Sequence, residues 1–173
     1  MTAYAFDAKP GGYGTRQTLT RCSDTNAYTA GDVIGIGTGG GNTTPGNAVW
    51  TFPLGPAAGG EVIIDSCALE VDVAAVPSGM TTFTLHLYNV TPPSALVDNA
   101  AWDLPAGDRT AYLGSIDLGA PVDVGSTLWV QQDGLNKQIT LLGANVYGYL
   151  QTVGGYTPSS AAVNAILLHA VRP

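Results

Sequence analysis

Charge is what this chain has least of. Six basic and thirteen acidic side chains stand among 173 residues, so charged residues make up 11 % of the sequence, against about 25 % in an average globular protein. The six cations, Lys9, Arg16, Arg21, Arg109, Lys137 and Arg172, are scattered, and the formal net charge is -7. A phosphate-binding surface needs several cations together, because affinity grows with each phosphate neutralised. The sequence therefore points to no nucleic acid as partner. No apolar run approaches the roughly 20 residues of a spanning helix. Ser159 to Val171, the longest stretch near the end without charge or proline, contains Asn164 and His169, so no membrane partner is expected. The opening MTAYAFDAKPGGYG lacks a basic region followed by an apolar one, so no secretory signal is read there and synthesis in a cytoplasm is expected.

Turn-formers are what the chain has in quantity: 23 glycines and 11 prolines, beside 45 % hydrophobic residues. That composition supports one loop-rich domain with a sizeable core. Pro10, Gly11, Gly12 and Gly14 resist both helix and central strand, so residues 1–16 are read as an extended N-terminal arm and residues 17–173 as a single domain. Strands are predicted at Gln17 to Ser23, Tyr28 to Ile36, Val49 to Phe52 and Glu61 to Val73. From Cys67 that last segment alternates, with Leu69, Val71 and Val73 on one side and Ala68, Glu70 and Asp72 on the other, the period of a half-buried strand. Thr81 to Val90 repeats the pattern, with Phe83, Leu85 and Leu87 sharing a face and Thr84, His86 and Tyr88 the other. A long connector, Thr91 to Arg109, precedes further strands at Ala111 to Leu118, Thr127 to Gln132, Lys137 to Leu142, Val146 to Val153 and Val163 to Val171. The expected fold is all-β, an antiparallel β-sandwich or jelly roll of eight to ten short strands. Helix is expected to be scarce, its best candidates being Ser94 to Trp102, with Ser94 as N-cap, and the segment after Pro158.

Chemistry-bearing motifs are sparse. Gly35 to Gly40 matches GxGxxG, but Gly41 to Gly46 continue it as a loop where a nucleotide site needs a helix N-terminus. Neither Lys9 nor Lys137 follows a glycine-rich turn, so phosphoryl transfer has no support. His86 and His169 form no metal-ligand spacing with Cys22 and Cys67; His86 is expected to be exposed or at an interface, and His169 more buried. No serine lies in a GxSxG elbow, and both cysteines fall in predicted strands; they are expected as free thiols. Asp98, Asp103 and Asp108 recur in the connector, where they read more readily as turn caps than as a calcium loop. Glu61 and Glu70 do not make a recognisable glycosidase pair. No catalytic, cofactor or metal site is assigned.

The stretch Phe83 to Val130, FTLHLYNVTPPSALVDNAAWDLPAGDRTAYLGSIDLGAPVDVGSTLWV, resembles virion structural proteins of tailed bacteriophages, the capsid decoration or cement family among them. YTAGDVIG at Tyr28 to Gly35 and NVYGYLQTV near the C-terminus are similar to the same group. The resemblance implies a non-enzymatic protein that binds the major capsid protein on the outer surface of the head. It further implies a homo-oligomer, a trimer on threefold lattice sites, with the arm reaching a neighbour. Tyr4, Phe6, Tyr13, Arg16, Trp102 and Arg109 are then the interface candidates. The alternative is a tail-associated receptor-binding or carbohydrate-binding sandwich that uses exposed aromatics and the Asp98 to Asp108 loop.

Overall fold

Alternation decides which side of each strand is buried, and two sets of alternating strands bury theirs against each other. The computed structural model describes residues 4–6, 12–21, 23–35 and 48–173, which form a β-sandwich of two antiparallel sheets. The larger sheet runs in the order β1 (Tyr4–Phe6), β2 (Gly12–Thr20), β12 (Val163–Val171), β5 (Gly60–Val71), β9 (Leu128–Gln132) and β8 (Val122–Asp123), with β10 (Lys137–Leu141) beside the first half of β5. In the smaller sheet the order is β3 (Val33–Ile34), β11 (Asn145–Thr152), β6 (Phe83–Tyr88) and β7 (Tyr112–Gly119), with β4 (Trp50–Pro53) pairing the start of β11. Val62, Ile64, Cys67, Leu69 and Val71 of β5 and Ile166, Leu168 and Ala170 of β12 meet Phe83, Leu85, Leu87, Ile116, Leu118 and Leu150 across the core. Each fully buried Leu, Ile or Phe contributes about 1.5–3 kcal/mol of transfer free energy.

The phase of β5 changes midway. Ile64 pairs with Ala170 and Ser66 with His169, leaving Asp65 as an extra residue. This bulge keeps Ile64 and Cys67 both inward although they are three positions apart, and it turns two successive polar residues outward.

Several expectations are corrected. The β-sandwich is as expected, with twelve strands among the described residues where eight to ten were expected, the additional ones being segments of two or three residues. Residues 12–16, expected in the arm, are strand: β2 pairs with β12 from Gly12 opposite Val171 to Thr20 opposite Val163. Gly14 suits a neighbour, since a Cβ there would stand 3.4 Å from the His169 ring. The strand expected over Tyr28 to Ile36 shrinks to β3, because Thr29 and Asp32 close a local turn: Thr29 donates its backbone N–H to Oδ2 at 2.6 Å and its hydroxyl to Oδ1 at 2.9 Å, competing with ladder pairing. Neither helix candidate forms. The connector spends its backbone groups on strands, with Val33 N–H donating to Ala100 O at 2.8 Å and Trp102 N–H to Gly31 O at 2.9 Å. Asn99 and Ala161 sit at φ 67° and 54°, which no helix tolerates. A 3-10 turn over Ala106–Asp108 is the one helical element among the described residues. The GxGxxG run beyond Gly35, and Cys22, lie outside them.

Candidate interaction surface

The two outer faces of the sandwich differ, because the chain covers one of them itself. The connector between β6 and β7 folds back over the smaller sheet, where Tyr88 and Tyr149 are buried and Leu96, Ala100, Trp102, Leu104 and Tyr112 pack on them. Tyr149 fixes the connector by two bonds, accepting from Leu96 N–H at 3.1 Å and donating to Ser94 O at 2.9 Å. His86, expected at the surface, is 5 % exposed. Its ring stacks on Trp102 with centroids 3.7 Å apart and planes 10° apart. Nε2 donates to Gln151 Oε1 at 3.0 Å, which leaves Nδ1 to accept from the Tyr112 hydroxyl at 3.0 Å. Burial holds the imidazole below its ordinary pKa, against the opposing effect of the Gln151 bond, so it is neutral at pH 7. Burial also pushes the Tyr88 hydroxyl up to about 12. His169, expected to be the more buried histidine, is exposed on β12.

The connector aspartates have separate tasks. Asp98 accepts from the Tyr28 hydroxyl and from Gly35 N–H, both at 2.7 Å, and pairs with Arg21 at 3.3 Å. Arg21 is itself buried, donates to the Tyr28 hydroxyl at 2.6 Å and pairs with Asp24 at 3.3 Å. The network ties the segment after β2 to the connector and to β3. Gly35 is required by its closeness: a Cβ there would meet Ala48 at 2.9 Å and Asp98 at 3.1 Å. Asp108 is buried and accepts from Ser94 N–H at 3.1 Å, capping the turn, while Asp103 is exposed. Trp102 and two of the three aspartates are thus engaged inside the domain, so the glycan platform suggested for this loop is not formed there. Cys67 is a free thiol in the core, its pKa raised by burial.

The larger sheet has an outer face that no other described element covers. Strand register arranges it in rows. Thr18, Ala165, Glu70, Trp129 and Val122 lie across one row, and Arg16, Leu167, Ala68 and Gln131 across the next. Gly14, His169 and Ser66 make a third. Arg16 pairs with Glu70 at 2.8 Å, both about 30 % exposed, an ion pair worth at most about 1 kcal/mol there. Between Trp129 and His169 the face is hollowed into a groove of about 450 Å³.

The six interface candidates are distributed rather than gathered. Tyr4 stands opposite Arg16, and Phe6 opposite Gly14, in the β1–β2 ladder. Tyr13 points to the core rim, half-buried, where its hydroxyl accepts from Arg172 Nε at 2.7 Å. Trp102 lies over the smaller sheet, and Arg109 is exposed at the end of the connector. The residues missed by sequence reading are Asp65 and Ser66. The signal that could have found them is the broken alternation at Asp65 and Ser66, the mark of a bulge.

No family model and no curated protein matches the chain. Solved structures similar to it include the capsid of Ralstonia phage GP4, at 13 % identity and a TM-score of 0.46 over all of this chain and 92 % of that one. Others are the capsid asymmetric unit of cyanophage Pam1, at 12 % identity and a TM-score of 0.35 over 100 % and 94 % of the two chains, and the K3 adhesin domain of Lys-gingipain from Porphyromonas gingivalis, at 11 % and 0.28 over 96 % and 78 %. Likenesses this distant carry no functional assignment for the chain.

Proposed function

We propose that the chain is a structural protein of a tailed-bacteriophage virion, a capsid decoration protein that binds the outside of the head and stabilises contacts between major capsid subunits. The observation that carries this reading is the N-terminal edge. Strand β1 holds the outermost position of the larger sheet, is three residues long, and pairs only with β2 among the described residues. Its other side presents backbone donors and acceptors to a neighbouring chain, the usual template for strand addition. The resemblance of Phe83 to Val130 to phage virion proteins supports the same reading. So does a sandwich with few charged groups, since burying polar surface against a partner costs more where charges must be desolvated.

In this reading Tyr4 and Phe6 on β1 and Arg16 beside them on β2 form the capsid-facing edge. A trimer places three such edges around a lattice threefold, and Arg109 lies on the connector, away from the larger sheet. The test is co-sedimentation with purified mature heads that lack the protein. Full-length chain should saturate the heads, and a chain lacking residues 1–7 should lose at least tenfold in affinity with an unchanged melting temperature. Equal affinity of the shortened chain contradicts the reading.

A further inference from the structure

We propose that the groove on the outer face of the larger sheet is a binding site for a neutral saccharide. Its shape follows from residue sizes in three adjacent strands. The middle strand, β5, contributes Ala68 and Ser66, while β9 and β12 on either side contribute Trp129 and His169. Trp129 stands opposite Glu70 and His169 opposite Ser66, so the two rings lie at diagonal ends of a trough floored by the small Ala68 and Ser66, with Gln131 and Leu167 flanking Ala68. Its volume of about 450 Å³ falls in the range of about 300–1,000 Å³ typical of small-molecule sites.

The chemistry of the lining selects the ligand. The floor is carbon, from Ala68 and Leu167, and the half-buried Trp129 supplies a wide ring face. An aromatic face carries negative quadrupole density and attracts the slightly positive C–H groups of a sugar ring. The rim is polar and unoccupied. The Trp129 indole N–H, the Ser66 hydroxyl, the His169 ring nitrogens and the Asp65 carboxylate make no hydrogen bond to another described residue. The β5 bulge brings Asp65 and Ser66 to this face together, where regular alternation would have sent one of them into the core. A ligand with a C–H face and a hydroxylated edge satisfies both parts of the site. The lining includes no Lys or Arg, so an anionic ligand finds no counter-charge. Capsid docking at the β1 edge and sugar binding in this groove are separate properties and fail separately.

Nitrogen-15 NMR on the full chain tests the site. The indole N–H resonance of Trp129 is assigned by its loss in Trp129→Phe. The protein is then titrated with neutral oligosaccharides of glucose, galactose, mannose and N-acetylglucosamine. At least one series should shift that resonance saturably, with a dissociation constant of about 1 mM or tighter. Ala68→Leu, which fills the trough while leaving every polar group in place, should weaken binding at least tenfold with the fold intact by its amide spectrum. The proposal is overturned if no oligosaccharide shifts the resonance, or if Ala68→Leu binds as well as the parent. It is equally overturned if the resonance responds only to tetramethylammonium, to added capsid protein or to a rise in the chain's own concentration.

Discussion

At the scale of single residues, the decisive groups are buried and polar. Arg21 is a buried charge and Asp98 a largely buried one, with side chains 1 % and 8 % exposed, and each is satisfied by more than one partner. Asp98→Ala would leave the Arg21 charge, the Tyr28 hydroxyl and the Gly35 N–H short of a partner. A loss of about 3–5 kcal/mol in urea unfolding is expected, against less than about 0.5 kcal/mol for Asp103→Ala on the exposed stretch of the same loop. His86 makes a pH-dependent contribution. Its folded pKa is depressed by burial, so the unfolded chain takes up a proton near pH 6.5 that the folded chain resists. The stability it supports is complete above pH 6.5 and falls as the pH drops from there toward the folded pKa, by at most about 1.4 kcal/mol per pH unit. Unfolding measured from pH 7 to pH 5 should therefore show a steeper fall in the parent than in His86→Gln. Parallel curves would show that the ring titrates alike in both states.

Strands and loops show where local pattern governs and where it gives way. In β11, Gly148 lies against β6, and a Cβ there would meet His86 O at 2.8 Å and Leu85 Cδ1 at 3.1 Å. Gly148→Ala should cost about 1–3 kcal/mol through overpacking, readable as a lower urea midpoint with the slope retained. β5, β6, β11 and β12 were legible because their alternation is a local consequence of having one face in the core, and Leu85, Leu87 and Leu69 declare it. The fate of His86 and Trp102 was not, because both depend on a connector that returns across the sheet to bond with Gly31, Val33 and Tyr149. No spacing along the chain encodes that return. The N-terminus was misjudged at residues 12–16 for a similar reason: glycines that weaken an isolated strand are accepted beside β12, where Gly14 leaves room for His169. The open face was half legible, its Ala68 and Glu70 on the outward side of β5, its bulge visible only as a lapse in phase. Truncation separates the two N-terminal strands. Removing residues 1–7 deletes β1 alone and should leave the melting temperature within about 2 °C. Removing residues 1–16 also takes half of β2 from the β12 ladder and exposes core beside it, so the melting temperature should drop sharply.

For the molecule as a whole, scarcity of charge and abundance of turns have a structural counterpart. The twelve strands of the described residues need many reversals, and one outer face is covered by the chain's own connector. The other face, with the Arg16–Glu70 ion pair and its groove, and the β1 edge beside it stay uncovered by any other described element. In the proposed reading, this face and edge are what let the domain stand on a phage head. Cryo-electron microscopy of the virion proposed to carry the chain is the most direct measurement of that claim. The account predicts sandwich-shaped density on the outside of the head, in groups of three at lattice threefolds, with the β1 edge against the major capsid protein. Density for the chain confined to the tail, with the head threefolds bare, would contradict it.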